Sequence, residues 1–132
     1  MVNVLIKTDS HYKVNRKRIR GAIEQFLIGK KVKGKTEISI SVVGDRQMRN
    51  LNMKFRKKNE TTDVLSFPLI DNEYGSKFVD PPDDILHLGD IVISYPEVIE
   101  EASRENKMVD DKIEELDIHG VMHLLGYHHD QE

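Results

Sequence analysis

Residues 36–44 read TEISISVVG, and the chain continues as DRQMRNLNMKF through residue 55. Ile38, Ile40 and Val42 alternate with Glu37, Ser39 and Ser41, the period of a strand with one face buried. After Gly44 the period lengthens to that of a helix, with Met48, Leu51 and Phe55 on one face, and Asp45 is expected to cap it. A half-buried strand feeding an amphipathic helix is the unit from which the rest of the chain can be read.

Upstream, residues 1–7 are β-branched and alternating enough for a first strand. Asn15 is placed to cap a helix carrying Ile19, Ile23, Phe26 and Leu27 at helical spacing. Gly29 and Gly34 frame the basic loop KKVKGK. Downstream, TDVLSFPLI (62–70) predicts a third strand, and Pro68 favours a sheet edge for it because proline lacks a ladder donor. DNEYGSKFVDPPDD (71–84) predicts a mobile loop.

LHLGDIVIS (86–94) predicts a fourth strand, with Ile91 and Ile93 facing one way and Val92 the other. Tyr95 and Pro96 open a helix through Val98, Ile99 and Ala102. A last helix is expected from Asp110 or Asp111, with Asp111 and Glu114 at capping-box spacing, running to Leu125 and stopping at Gly126. Nothing repeats and no linker divides the chain. The expected architecture is α+β, one domain over residues 1–132 built on a small, mixed, four-stranded sheet with flanking helices.

Composition narrows the function classes. With no cysteine among 132 residues, disulfides and thiolate metal sites are excluded. The apolar runs are too short to span a bilayer, and the N-terminal stretch lacks the apolar core of a secretory signal, so a cytoplasmic protein is expected. The net charge of −3 conceals an asymmetry: residues 1–60 hold 16 Lys and Arg against 5 Asp and Glu, and residues 61–132 hold 4 against 18. A basic half, including the cluster Lys54, Arg56, Lys57 and Lys58, suits a polyanion such as RNA.

The chemistry concentrates in HGVMHLLGYHH, residues 119–129. His119 and His123 lie four apart, one helical turn, so both rings can address one metal ion. Gly126 can end the helix in a left-handed turn and return His129 to the same point. The spacing is that of the three-histidine metzincin zinc site at the end of a helix, and three neutral imidazoles suit one Zn²⁺ with an open fourth position. His128 falls off the pattern. Gly120 stands where a zinc protease places its glutamate general base, so peptide hydrolysis by that route is disfavoured. Gly120 therefore serves either close packing of a strand or clearance beside the metal.

Three stretches together, HGVMHLLGYHH, NMKFRKKNETTDVLSFP and LGDIVIS, resemble the YbeY family of bacterial single-strand-directed endoribonucleases over most of residues 36–130. The resemblance implies zinc on His119, His123 and His129, and Arg56 as the arginine beside the metal. It further implies cytoplasmic cleavage of single-stranded RNA in ribosomal RNA maturation, including the small-subunit 3′ end, and ribosome quality control, with the ribosome or its small subunit as partner. The family commonly has Asp where His128 stands, a role that Asp130 could take over.

A guanidinium at position 56 suits the role, since it grips phosphate through two parallel hydrogen bonds. Asp63 and Ser66 are candidates to border the cleft. The competing readings are another metal-dependent hydrolase, such as a protease or amidase, and a non-catalytic ribosome-binding factor organised by zinc.

Overall fold

The computed structural model describes residues 2–69 and 85–126. The elements run β1 (Val2–Thr8), α1 (Arg16–Gly29), β2 (Thr36–Val43), α2 (Asp45–Arg56), β3 (Val64–Pro68), β4 (Leu86–Ser94), α3 (Tyr95–Glu105) and α4 (Val109–Leu124). The strands form one sheet in the order β1-β2-β4-β3. β1 and β4 flank β2 in parallel, and β3 pairs antiparallel with β4. The sheet is therefore mixed and four-stranded, and β3 lies at its edge, as Pro68 predicts. The segment read as a mobile loop, residues 71–84, lies outside the described residues.

Side-chain alternation assigns the two faces of the sheet. Ile38 and Ile40 of β2 and Ile91 and Ile93 of β4 join Ile19, Ile23 and Leu27 of α1, Val98 of α3, and Ile113, Val121 and Leu124 of α4 in the main core. Val43, Leu65 and Val92 face the other way and pack with Met48 of α2. Three helices thus cover one face and α2 the other. Buried apolar area on both sides of a small sheet is the dominant stabilising contribution to this fold.

Helix ends show where local rules hold. Asn15 caps α1, its side chain accepting from the amide of Arg18 at 3.0 Å. Ser94 caps α3, with proline in its first turn. The expected cap of α2 is displaced by one residue: Gly44 is the cap, and Asp45 sits in the first turn. The Asp45 carboxylate instead accepts from the Ser94 hydroxyl at 2.7 Å and the Thr61 hydroxyl at 3.1 Å, tying α2 to β4 and to the approach to β3. A tertiary pair of donors outcompetes the local amide.

α4 begins at Val109 after Met108, which makes no side-chain cap. Asp111 and Glu114 are not a capping box. Both accept from the Arg18 guanidinium, at 2.6 and 2.7 Å, which joins α4 to α1. The helix ends at Leu124, one residue before the expected stop, and Gly126 takes a positive φ of 96°.

Two apolar residues of the helices stand largely outside the core. Ile99 of α3 is 48% exposed and Phe55 of α2 is 54% exposed. On α2 the buried partner of Met48 is Asn52, whose side-chain amide donates to the Glu60 carbonyl at 2.9 Å. That bond holds the loop after α2 against the helix and uses the inward position one turn beyond Met48.

Gly89 shows how closely the edge is assembled. It has a φ of 144°, and a β-carbon there would stand 2.4 Å from the Phe67 carbonyl oxygen and 2.9 Å from Leu124 Cδ2. Only glycine fits between β3 and the end of α4. A register shift between Glu37 and Ile38 accommodates this turn of β4.

Candidate metal centre

His119 and His123 lie in the last two turns of α4, both half-buried, with ring centroids 5.4 Å apart and planes inclined at 34°. Neighbouring turns on one helical face produce this proximity, as the four-residue spacing predicts. Two imidazoles so placed present nitrogen donors of the kind zinc prefers. Among the described residues no group of three or more histidines and carboxylates is arranged to hold a metal ion. The third predicted ligand, His129, lies outside the described residues, as do His128 and Asp130.

The position of α4 is set by what lies beneath and beside it. Gly120, between the two histidines, is buried against Ile91, and a β-carbon there would stand 2.8 Å from Ile91 Cδ1. Of the two roles open to this glycine, close packing on a strand is the one the structure shows. On one flank, Arg18 of α1 bridges Asp111 and Glu114. On another, the buried ammonium of Lys112 meets Glu105 at 3.0 Å, Glu115 at 3.2 Å and Glu101 at 3.5 Å. Burial alone would lower the Lys112 pKa, but the hydrogen bonds to Glu105 and Glu115 prevail and raise it above the usual lysine value. A charged clamp on either side thus fixes the helix that carries the histidines.

Asp117, two residues before His119, is fully buried, and among the described residues neither carboxylate oxygen has a hydrogen-bond partner. Burial, reinforced by the nearby charge of Glu114, pushes its pKa up to about 8. The spacing Ile113, Asp117, Val121, Leu124 places an acidic group in the middle of the core-facing stripe. That break in an apolar pattern was a legible signal that sequence reading passed over.

The other candidates sit on neighbouring elements. Arg56 is the last residue of α2 and is exposed. It is followed by Lys57 in a left-handed conformation whose amide donates to the Met53 carbonyl at 3.1 Å, so the chain reverses directly towards β3. Ser66 of β3 pairs with Ile91, and paired residues share a face; this is the face that α4 covers at Gly120. Asp63 has a structural assignment. Its carbonyl accepts from the Ser94 amide at 2.9 Å, and its carboxyl group faces Glu101, adding to the burial that raises the Glu101 pKa. The structure thus brings the two described histidines together and leaves Arg56 on a separate element.

A family model described as endoribonuclease YbeY matches residues 4–132. The endoribonuclease YbeY of Dehalococcoides mccartyi strain 195 is 33% identical over 133 residues, covering 97% of this chain and 77% of that protein. The Thermodesulfovibrio yellowstonii YbeY is 41% identical over 93 residues, covering 70% of this chain and 54% of its own length. A solution structure of a Thermotoga maritima protein matches with a TM-score of 0.61 at 26% identity, covering all of this chain and 77% of that one. The fold, the match along nearly the whole sequence and the identity to these relatives lead to one conclusion: the chain belongs to the endoribonuclease YbeY family.

Proposed function

We propose that this protein is a zinc-dependent endoribonuclease that cuts single-stranded RNA in the cytoplasm, acting in ribosomal RNA maturation, including the small-subunit 3′ end, and in ribosome quality control. The observation that carries the reading is the His119 and His123 pair on one face of α4 in a chain of the YbeY family. The donor set fits zinc: two imidazoles from adjacent turns, with His129 as the third ligand supplied by the chain beyond Gly126. The chemistry such an ion supplies when bound is Lewis-acid polarisation of the scissile phosphodiester.

The chain's own residues do the remainder. The i, i+4 spacing on a clamped helix pre-orients His119 and His123. Arg56 is permanently charged and exposed, and its planar fork holds a phosphate and offsets the extra charge that develops on it during cleavage. The exposed basic groups Arg46, Arg49, Lys54, Lys57 and Lys58 of α2 and the loop after it draw in a polyanion. Gly120, filled by Ile91, supplies no carboxylate base, which separates this site from a peptidase.

Cleavage of a single-stranded RNA by zinc-loaded wild type, Arg56→Ala and His123→Ala tests the assignment. Activity in the wild type and loss in both variants is expected. Equal activity in all three would overturn the proposed site. RNA binding that survives chelation, with cleavage never observed, would replace the enzyme by a binding factor.

A further inference from the structure

Phe55 occupies a place that the core does not explain. Its spacing from Met48 and Leu51 should direct it inward, yet it is 54% exposed because Asn52 holds the inward position. A ring left half in water forgoes much of the stabilisation that burial would give it. The ring is nevertheless held in place: the Phe67 ring of β3 lies 5.0 Å away, centroid to centroid, at an inclination of 59°, close to the edge-to-face arrangement aromatic pairs favour.

Its surroundings are cationic. The Lys54 ammonium lies 5.2 Å from the ring centroid, and Arg56, Lys57 and Lys58 follow directly in the chain, all exposed. The left-handed turn at Lys57, with the Lys58 amide donating to the Asn52 carbonyl at 3.4 Å, keeps these charges gathered at the end of α2. A surface of this kind asks for a ligand that is both anionic and flat-faced. An acidic peptide would satisfy the charges and leave the ring unused. A membrane would need far more apolar area than one ring and its neighbour Met53 offer.

We infer that Phe55 is a base-stacking residue that holds one unpaired nucleotide of the RNA at the end of α2, while the basic groups around it take the adjoining phosphates. The inference rests on the endoribonuclease reading and deepens it by naming a residue that selects single strands. A base within a duplex has both faces stacked on its neighbours and cannot offer one to a side chain, whereas an unpaired base can. Stacking tolerates any base because each has a π-face. Lys54, on its flexible stem, is free to leave the ring for a phosphate when a base arrives.

The test is anisotropy titration of a labelled single-stranded 12-nucleotide RNA, and of a duplex of the same length, with wild type, Phe55→Ala, Phe55→Leu and Phe55→Trp. Because Phe55 is exposed, all variants are expected to fold. Phe55→Ala and Phe55→Leu should each weaken single-strand binding about tenfold, leave duplex binding unchanged and keep the slope of log Kd against log salt, since no charge is altered. Phe55→Trp should bind like the wild type. The chain contains no tryptophan, so the new indole is the sole emitter of its kind and should be quenched as RNA binds.

Wild-type-like binding by both Phe55→Ala and Phe55→Leu, or unchanged Trp emission at saturating RNA, overturns the inference. If wild type itself cleaves the RNA in that case, only the inference falls. Wild type that neither binds nor cleaves RNA removes the endoribonuclease reading along with it.

Discussion

Gly120 and Ile91 are in such close contact that a single added carbon does not fit: a β-carbon on Gly120 would stand 2.8 Å from Cδ1, 3.0 Å from Cγ1 and 3.1 Å from Cγ2 of the isoleucine. Ile91 is fully buried in the main core and cannot swing into solvent. The helix bearing the histidines therefore rests directly on the sheet between them.

Gly120→Ala should consequently destabilise the protein by up to about 2 kcal/mol net, an overpacking cost of about 1–3 kcal/mol set against a gain of about 1 kcal/mol in helix propensity. Ile91→Val, which removes Cδ1, should recover part of the loss when combined with it. Urea denaturation of the two single variants and the double variant reads the coupling; additive losses would refute the contact.

Asp117 makes stability depend on pH. Burial raises its folded pKa from the ordinary aspartate value to about 8, so the folded state binds the proton more tightly. The stabilising contribution is fully present below about pH 4 and is lost as pH rises through 8. Asp117→Asn removes this dependence. Measured by denaturation with chelator present, the variant should exceed wild type in stability at pH 8.5, by on the order of 3 kcal/mol, and the difference should shrink at pH 5. Parallel pH profiles for the two proteins would show that the carboxyl group is hydrated in solution.

Lys112 is 4% exposed and holds Glu101, Glu105 and Glu115 around one ammonium group. Lys112→Met leaves those carboxylates facing one another between α3 and α4, and should cost roughly 2–4 kcal/mol at pH 7. Since burial and Asp63 already raise the Glu101 pKa, acidification should neutralise Glu101 early and restore part of the lost stability. Thermal melts of both proteins at pH 5 and pH 7 check this; an equal deficit at the two pH values would contradict it.

Zinc should stabilise the folded chain through the histidines. At a free concentration a hundredfold above its Kd, the linkage is about 2.7 kcal/mol. A rise in Tm on adding zinc to chelator-stripped wild type, absent in His119→Ala and in His123→Ala, is the expected outcome. A shift that persists in both variants would place the ion elsewhere.

Periodicity and turn chemistry made the elements legible. The alternation in residues 36–43, the apolar spacing in α1, the caps at Asn15 and Ser94 and the proline at Pro68 each act within a few residues, and the structure agrees with them. The same locality made the His119 and His123 pair readable, because helix geometry alone brings positions four apart together.

The misreadings share a cause. Asp45, Asp111 and Glu114 all look like helix caps, yet their oxygens are taken by Ser94, Thr61 and Arg18 from other elements. Phe55 looks like core, but Asn52 displaces it by holding Glu60. A local rule loses wherever a distant partner offers a stronger bond, and that partner is invisible until the chain has folded.

By itself, then, the sequence determined the strand and helix order, the mixed α+β class, the edge position of β3 and a pair of histidines on one helical face, because each depends on interactions within a few residues. Only the tertiary structure decided that Gly120 is filled by Ile91, that Lys112 and Asp117 of the histidine helix are buried, and that Phe55 stands half-exposed among cations. Those outcomes depend on which surfaces exclude water from one another, and that is a property of the packed chain.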